Sequence, residues 1–98
     1  MELIYGLHGV ITAFASVGVP GGMDVAADGS IYVVDSRARR VTHLSASGAS
    51  LGFVGAVFGL PYDVEAAGDG AVYILEAGPV GSIRRVAADG TVTTVSRR

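Results

Sequence analysis

The stretch Pro20-Gly21-Gly22-Met23-Asp24-Val25-Ala26-Ala27-Asp28-Gly29-Ser30-Ile31-Tyr32-Val33-Val34-Asp35 aligns without a gap onto Pro61-Tyr62-Asp63-Val64-Glu65-Ala66-Ala67-Gly68-Asp69-Gly70-Ala71-Val72-Tyr73-Ile74-Leu75-Glu76. The offset is about 41 residues, a period at which each copy makes one supersecondary unit that buries its apolar surface against the next. Chemistry is kept along with identity: Asp24 pairs with Glu65, Asp35 with Glu76, Ile31 with Val72 and Met23 with Val64. Further along, the segment from Val41 to Gly48 matches the segment from Ile83 to Gly90 once one residue is inserted in the preceding turn.

Each unit reads as four short strands. Runs of about five β-branched, aromatic and small apolar residues are separated by turns that contain Gly. In the first unit the strands are expected near residues 23–26, 31–34, 41–44 and 50–54, and in the second near 64–66, 72–75, 83–86 and 91–95. Asp28-Gly29 reads as a tight two-residue hairpin turn, because Gly tolerates the positive φ such a turn requires. A helical reading fails because Gly-containing turns punctuate the chain and the apolar residues run together or alternate rather than recurring at three and four. Ahead of the first full unit, the segment from Ile4 to Phe14 resembles the third and fourth strands of the later units with a shorter turn. The expected organisation is a partial unit over 1–19, a full unit over 20–60 and a second over 61–98.

At 98 residues the chain has the size of one small domain. Half its residues are hydrophobic and 16% are charged, so the composition is that of a folding chain. Without cysteine, a disulfide framework, a cysteine zinc site and a thiol nucleophile are all excluded. The net charge of −2 gives no general attraction to nucleic acid or to an anionic membrane. The apolar run over 10–19 lacks the preceding positive charge of a secretory signal and is shorter than the ~20 residues that span a bilayer, so it reads as a strand and a turn. All seven positive side chains are Arg, and Lys, Asn, Gln and Trp are also missing, which is the mark of a biased genome or of an engineered or reconstructed sequence.

The repeating pattern resembles the NHL repeat, a blade type of β-propellers. Pro20, Asp28-Gly29, Ile31-Tyr32-Val33, Asp35 and Arg40-Val41 carry the resemblance. The second unit departs from it: Ser82 stands where the pattern has Arg, Glu76 replaces Asp, and Gly78-Pro79-Val80-Gly81 lengthens the loop. The fold class implied is all-β, with four-stranded antiparallel blades. The resemblance also implies that Arg40 packs the blade by pairing with Asp35 or a loop carbonyl. Propellers close at about four to eight blades, so two blades and a partial one cannot close alone. The expected partner is the chain itself, joined head to tail; three chains giving six blades are favoured, and a dimer or a tetramer is the alternative. The duplicated third and fourth strands at the amino end are expected to replace the last strand of a closing blade or to swap into a neighbour.

For function, the resemblance covers scaffolds, sensors, RNA binders and a few enzymes, and fold does not choose among them. The expected role is a structural scaffold or binding module without catalytic activity or cofactor. The alternative is part of a ligand- or RNA-binding sensor propeller, or of a propeller enzyme of lyase or lactonase type. His8 and His43, the two histidines, each stand alone, where a metal or catalytic site needs convergent partners. Asp24 and Glu65 recur on the first strand of each unit, which is innermost in a propeller, so they are candidates for lining a central channel. The expectation is hydrogen bonding to backbone or contact with channel water rather than metal binding. Arg37, Arg39 and Arg40, with Tyr62 on the same rim, are the candidate binding face, since guanidinium groups grip phosphate or carboxylate bidentately. Nucleic-acid binding is not expected, because Lys is absent, the net charge is negative and the second unit lacks the cluster. Asp28-Gly29, Asp69-Gly70 and Asp89-Gly90 are too sparse in ligands for calcium loops and read as hairpin turns.

Overall fold

The computed structural model describes residues 2–5, 13–18, 20–54, 59–77 and 81–97. His8 and the loop residues Gly78, Pro79 and Val80 lie outside them. The described chain is all-β, with no helix among these residues. Strands β1 (Glu2–Tyr5) and β2 (Ala13–Val17) pair antiparallel as a two-stranded sheet. A first four-stranded sheet follows: β3 (Pro20–Val25), β4 (Ile31–Asp35), β5 (Arg40–Leu44) and β6 (Ser50–Val54), each hydrogen-bonded to the next. The second four-stranded sheet repeats the plan with β7 (Pro61–Ala66), β8 (Val72–Glu76), β9 (Ser82–Val86) and β10 (Val92–Arg97). All pairings are antiparallel, as short connections between sequential strands dictate.

The turns differ from the two-residue form expected of Asp28-Gly29. Gly29 N–H donates to the Ala26 carbonyl (2.9 Å) and Ala26 N–H to the Ser30 carbonyl (2.8 Å), which encloses the three residues Ala27, Asp28 and Gly29. The glycine takes the left-handed conformation, with φ 86°, that closes such a three-residue loop. The same bonding recurs at Gly48, Gly70 and Gly90, with φ 93°, 85° and 93°. Asp28, Asp69 and Asp89 each accept the backbone N–H two residues on, at 2.9, 3.0 and 2.9 Å, which fixes the turn locally. Those hydrogen bonds hold their carboxyls below the usual range, the Ser30 hydroxyl leading at Asp28 and the backbone N–H groups of Ala71 and Thr91 leading at Asp69 and Asp89.

One core joins the two sheets. Val34 and Val41 from the first pack with Val64, Val72, Ile74 and Val86 from the second, and Tyr32, Val54 and Val92 close its margin. Because side chains alternate along a strand, each sheet contributes one face. The first sheet gives the face of Tyr32, Val34 and Val41; the second gives the face of Val64, Val72 and Ile74. In the repeat alignment these are opposite faces: Tyr32 and Val34 match Tyr73 and Leu75, whereas Val64 and Ile74 match Met23 and Val33. The sheets therefore stack front to back, with the same direction kept from one to the next. Fully burying an aliphatic side chain stabilises by roughly 1.5–3 kcal/mol, so the six-residue core is the main force across this junction.

Strand β7 lies against β3 and β4. A close approach lies at Gly22, where an added Cβ would stand 2.8 Å from Asp63 Cγ and 2.9 Å from Asp63 Cα. The carboxylate can rotate away but the backbone cannot, so Gly22→Ala must push β3 and β7 apart. A loss of about 1–3 kcal/mol is expected, as for an overpacked core, which lowers the thermal midpoint by ~4–8 °C per kcal/mol. Circular dichroism melting checks it, and an unchanged midpoint would contradict the close approach.

Candidate functional site

The distinctive chemistry lies at the junction of the sheets. Asp24, a candidate channel residue on β3, is half-buried there, and its Oδ2 accepts the N–H of Ala66 on β7 at 2.7 Å. A carboxylate accepting a backbone N–H makes a charge-assisted bond, stronger than a neutral one. Its Oδ1 accepts its own neighbour's N–H, that of Val25, at 2.9 Å. Asp24 is thus a clasp between the first strands of successive repeats. Glu65, its counterpart on β7, is exposed and makes no side-chain hydrogen bond among the described residues. Its register puts it on the face of the second sheet that turns away from the first, with Tyr73 and Arg85 opposite it on β8 and β9. Among the described residues, no three His, Asp or Glu side chains are grouped to hold a metal.

His43 lies on the junction side of β5, stacked on Tyr32 with ring centroids 4.2 Å apart and planes within 3°. Its Nε2 is buried without a hydrogen-bond partner. The ring is a packing element beside Tyr32, whose phenol is pushed up by burial and, secondarily, by the negative charge of Asp28.

The Arg cluster divides. Arg40 does not pair with Asp35, one of the two partners that the family resemblance implies. Its guanidinium carbon sits 3.5 Å above the Phe53 ring of β6, and its Nε is buried without a hydrogen-bond partner. The cause is a competition for Asp35, whose Oδ1 accepts the Ala38 N–H at 3.2 Å and closes the β4–β5 loop, while the flat guanidinium finds an aromatic face on the adjacent strand β6. Arg37 and Arg39 are exposed in that loop, Arg39 with φ 57°. Tyr62, 52% exposed, is the second residue of β7. The loop and Tyr62 share one rim: a Cβ on Gly21 would lie 3.1 Å from Ser36 Oγ and 3.3 Å from the Tyr62 carbonyl oxygen. No hydrogen bond or cation–π contact joins Arg37 or Arg39 to Tyr62 among the described residues.

In the second sheet a different set fills the place of Asp35 and Arg40. Glu76, 5% exposed, accepts the Gly59 N–H at 2.8 Å through Oε2, and the Ser82 hydroxyl (2.8 Å) and Arg84 Nε (2.7 Å) through Oε1. Burial, the largest influence, pushes this carboxyl up, but the three donors and the charge of Arg84 outweigh it and hold it below its ordinary value. The departures at Ser82 and Glu76 are therefore mutually compensating: a longer carboxylate reaches a hydroxyl and a guanidinium that enters two residues later. Gly59 ties this cluster to the connection between the sheets. Sequence reasoning missed the cluster because Arg84 sits on a strand position that carries Thr42 in the first repeat. On the far face, Arg85 pairs with Asp69 at 2.8 Å in an exposed ion pair that water and salt screen.

No protein-family model matches the chain, and neither does any curated protein.

Proposed function

We propose that the chain is a two-blade unit of an NHL-like β-propeller that associates with copies of itself, head to tail, into a closed ring serving as a scaffold or binding module. The observation that supports it is the front-to-back junction. The two sheets meet through opposite faces of equivalent strands, so each outer face is the counterpart of a face already buried inside the chain. On the first sheet that outer face leaves Met23 (45%), Val25 (51%) and Phe53 (54%) exposed, although Val33 and Leu44 beside them are buried. The open part is thus the β3 edge and Phe53. A contact that repeats the same direction is heterologous, and such contacts close into a ring when the rotation permits. Bare apolar strands at a sheet face favour this association.

Three chains, giving six blades, are the favoured ring, with two or four as the alternatives. The β1–β2 pair, matching the outer two strands of a blade, then takes the place of an outer strand or exchanges between neighbours. Light scattering at micromolar concentration tests the reading. A mass of three chains is expected; two or four chains would keep self-assembly and change the blade number, and a single monodisperse chain would overturn it.

A further inference from the structure

We infer that the ring is joined by a second, wider version of the internal clasp, in which the Glu65 carboxylate of one chain accepts the Val25 N–H of the next. This rests on the head-to-tail reading above and names the contact that would carry it. Advancing Asp24 and Ala66 by one repeat gives Glu65 as acceptor and the position equivalent to Val25 as donor. Both groups are available. Glu65 is exposed and without a side-chain hydrogen bond among the described residues, and Val25 is 51% exposed on the outermost strand of the first sheet. The Val25 N–H is held only by the side chain of the residue before it.

The differences between the repeats agree with this placement. Inside the chain, Gly22 lets β7 approach so closely that the shorter Asp24 spans the gap to Ala66. At the junction with a next chain, the bulkier Tyr62 occupies the position of Gly21, so an incoming β3 is kept further away. The carboxylate there is Glu65, one methylene longer. A bulkier spacer and a longer acceptor change together, as a wider junction of the same kind requires. The occupant is therefore a second copy of this chain, presenting β3 with Met23 and Val25 to β7.

The lack of native cysteine allows a direct test. Chains carrying Val25→Cys and chains carrying Glu65→Cys are oxidised separately and mixed, with far-UV circular dichroism confirming that each is folded. Covalent dimers in the mixture, and not in either variant alone, are expected, because a heterologous contact brings position 25 of one chain to position 65 of another. Equal cross-linking of a single variant with itself, or none in the mixture while the wild-type chain is oligomeric, would overturn the clasp and leave self-assembly through another surface. As a second measure, Glu65→Lys is expected to weaken self-association at least tenfold with an unchanged circular dichroism spectrum, and undiminished association would likewise overturn it. A monomeric wild-type chain would instead overturn the head-to-tail reading beneath it.

Discussion

Ile74→Ala is expected to cost about 2–5 kcal/mol, the range for truncating a buried aliphatic side chain that leaves a cavity. Ile74 is wholly buried in β8, flanked across the sheet by Val64 and Arg84, and it faces Val34 and Val41 of the other sheet. Its removal acts on both sheets at once, since the core it belongs to draws residues from both. Domains of this size are stable by only about 5–15 kcal/mol, so the loss is a large fraction of the total. Equilibrium urea unfolding at fixed protein concentration should show a lower midpoint with an unchanged slope. A loss below about 1 kcal/mol would mean that the two sheets do not share this core.

Glu76→Ala is expected to cost roughly 2–4 kcal/mol. It leaves Gly59 N–H, Ser82 Oγ and Arg84 Nε without their acceptor, and hydrogen bonds to charged groups are worth about 1.5–3 kcal/mol, more when the partner is left buried. Arg84 is 37% exposed and can recover water, which keeps the cost below that of a fully buried pair. The same carboxylate sets part of the acid limit. Its native pKa lies below the ordinary 4.5, so the unfolded chain binds the proton more readily and stability rises with pH across that interval. The contribution is complete above about 4.5 and is lost as pH falls through the depressed native value. Glu76→Gln should therefore flatten the decline in stability below pH 4.5, and an acid limb as steep as the wild type's would contradict the assignment.

The repeat and its strands were legible because period and turn chemistry are written in consecutive residues. Which face of each sheet is buried was not legible. In Ile31-Tyr32-Val33-Val34 both alternating faces are apolar, so a period-2 pattern cannot choose between Val34, which enters the junction, and Val33, which does not. The turn at Asp28 was found, but its length depended on where Ala26 and Ala27 leave the strand, and two alanines carry no signal for that. Asp24 was legible as a recurring carboxylate, whereas its partner is a backbone N–H in the other repeat, and a backbone donor leaves no mark in sequence. Arg40 misled because a nearby Asp35 is the obvious partner along the chain. Phe53 comes within reach only through β6, whose register with β5 shifts between His43 and Leu44.

The clasp between successive repeats is tested most directly by NMR-detected amide exchange at Ala66 and Val25 over a range of protein concentrations. The Ala66 N–H, bonded to Asp24 within the chain, should be protected at every concentration, and the Val25 N–H should pass from weak to comparable protection as chains associate. An unprotected Ala66, or a Val25 amide that stays exposed while the oligomer forms, would contradict a junction that repeats from sheet to sheet and from chain to chain.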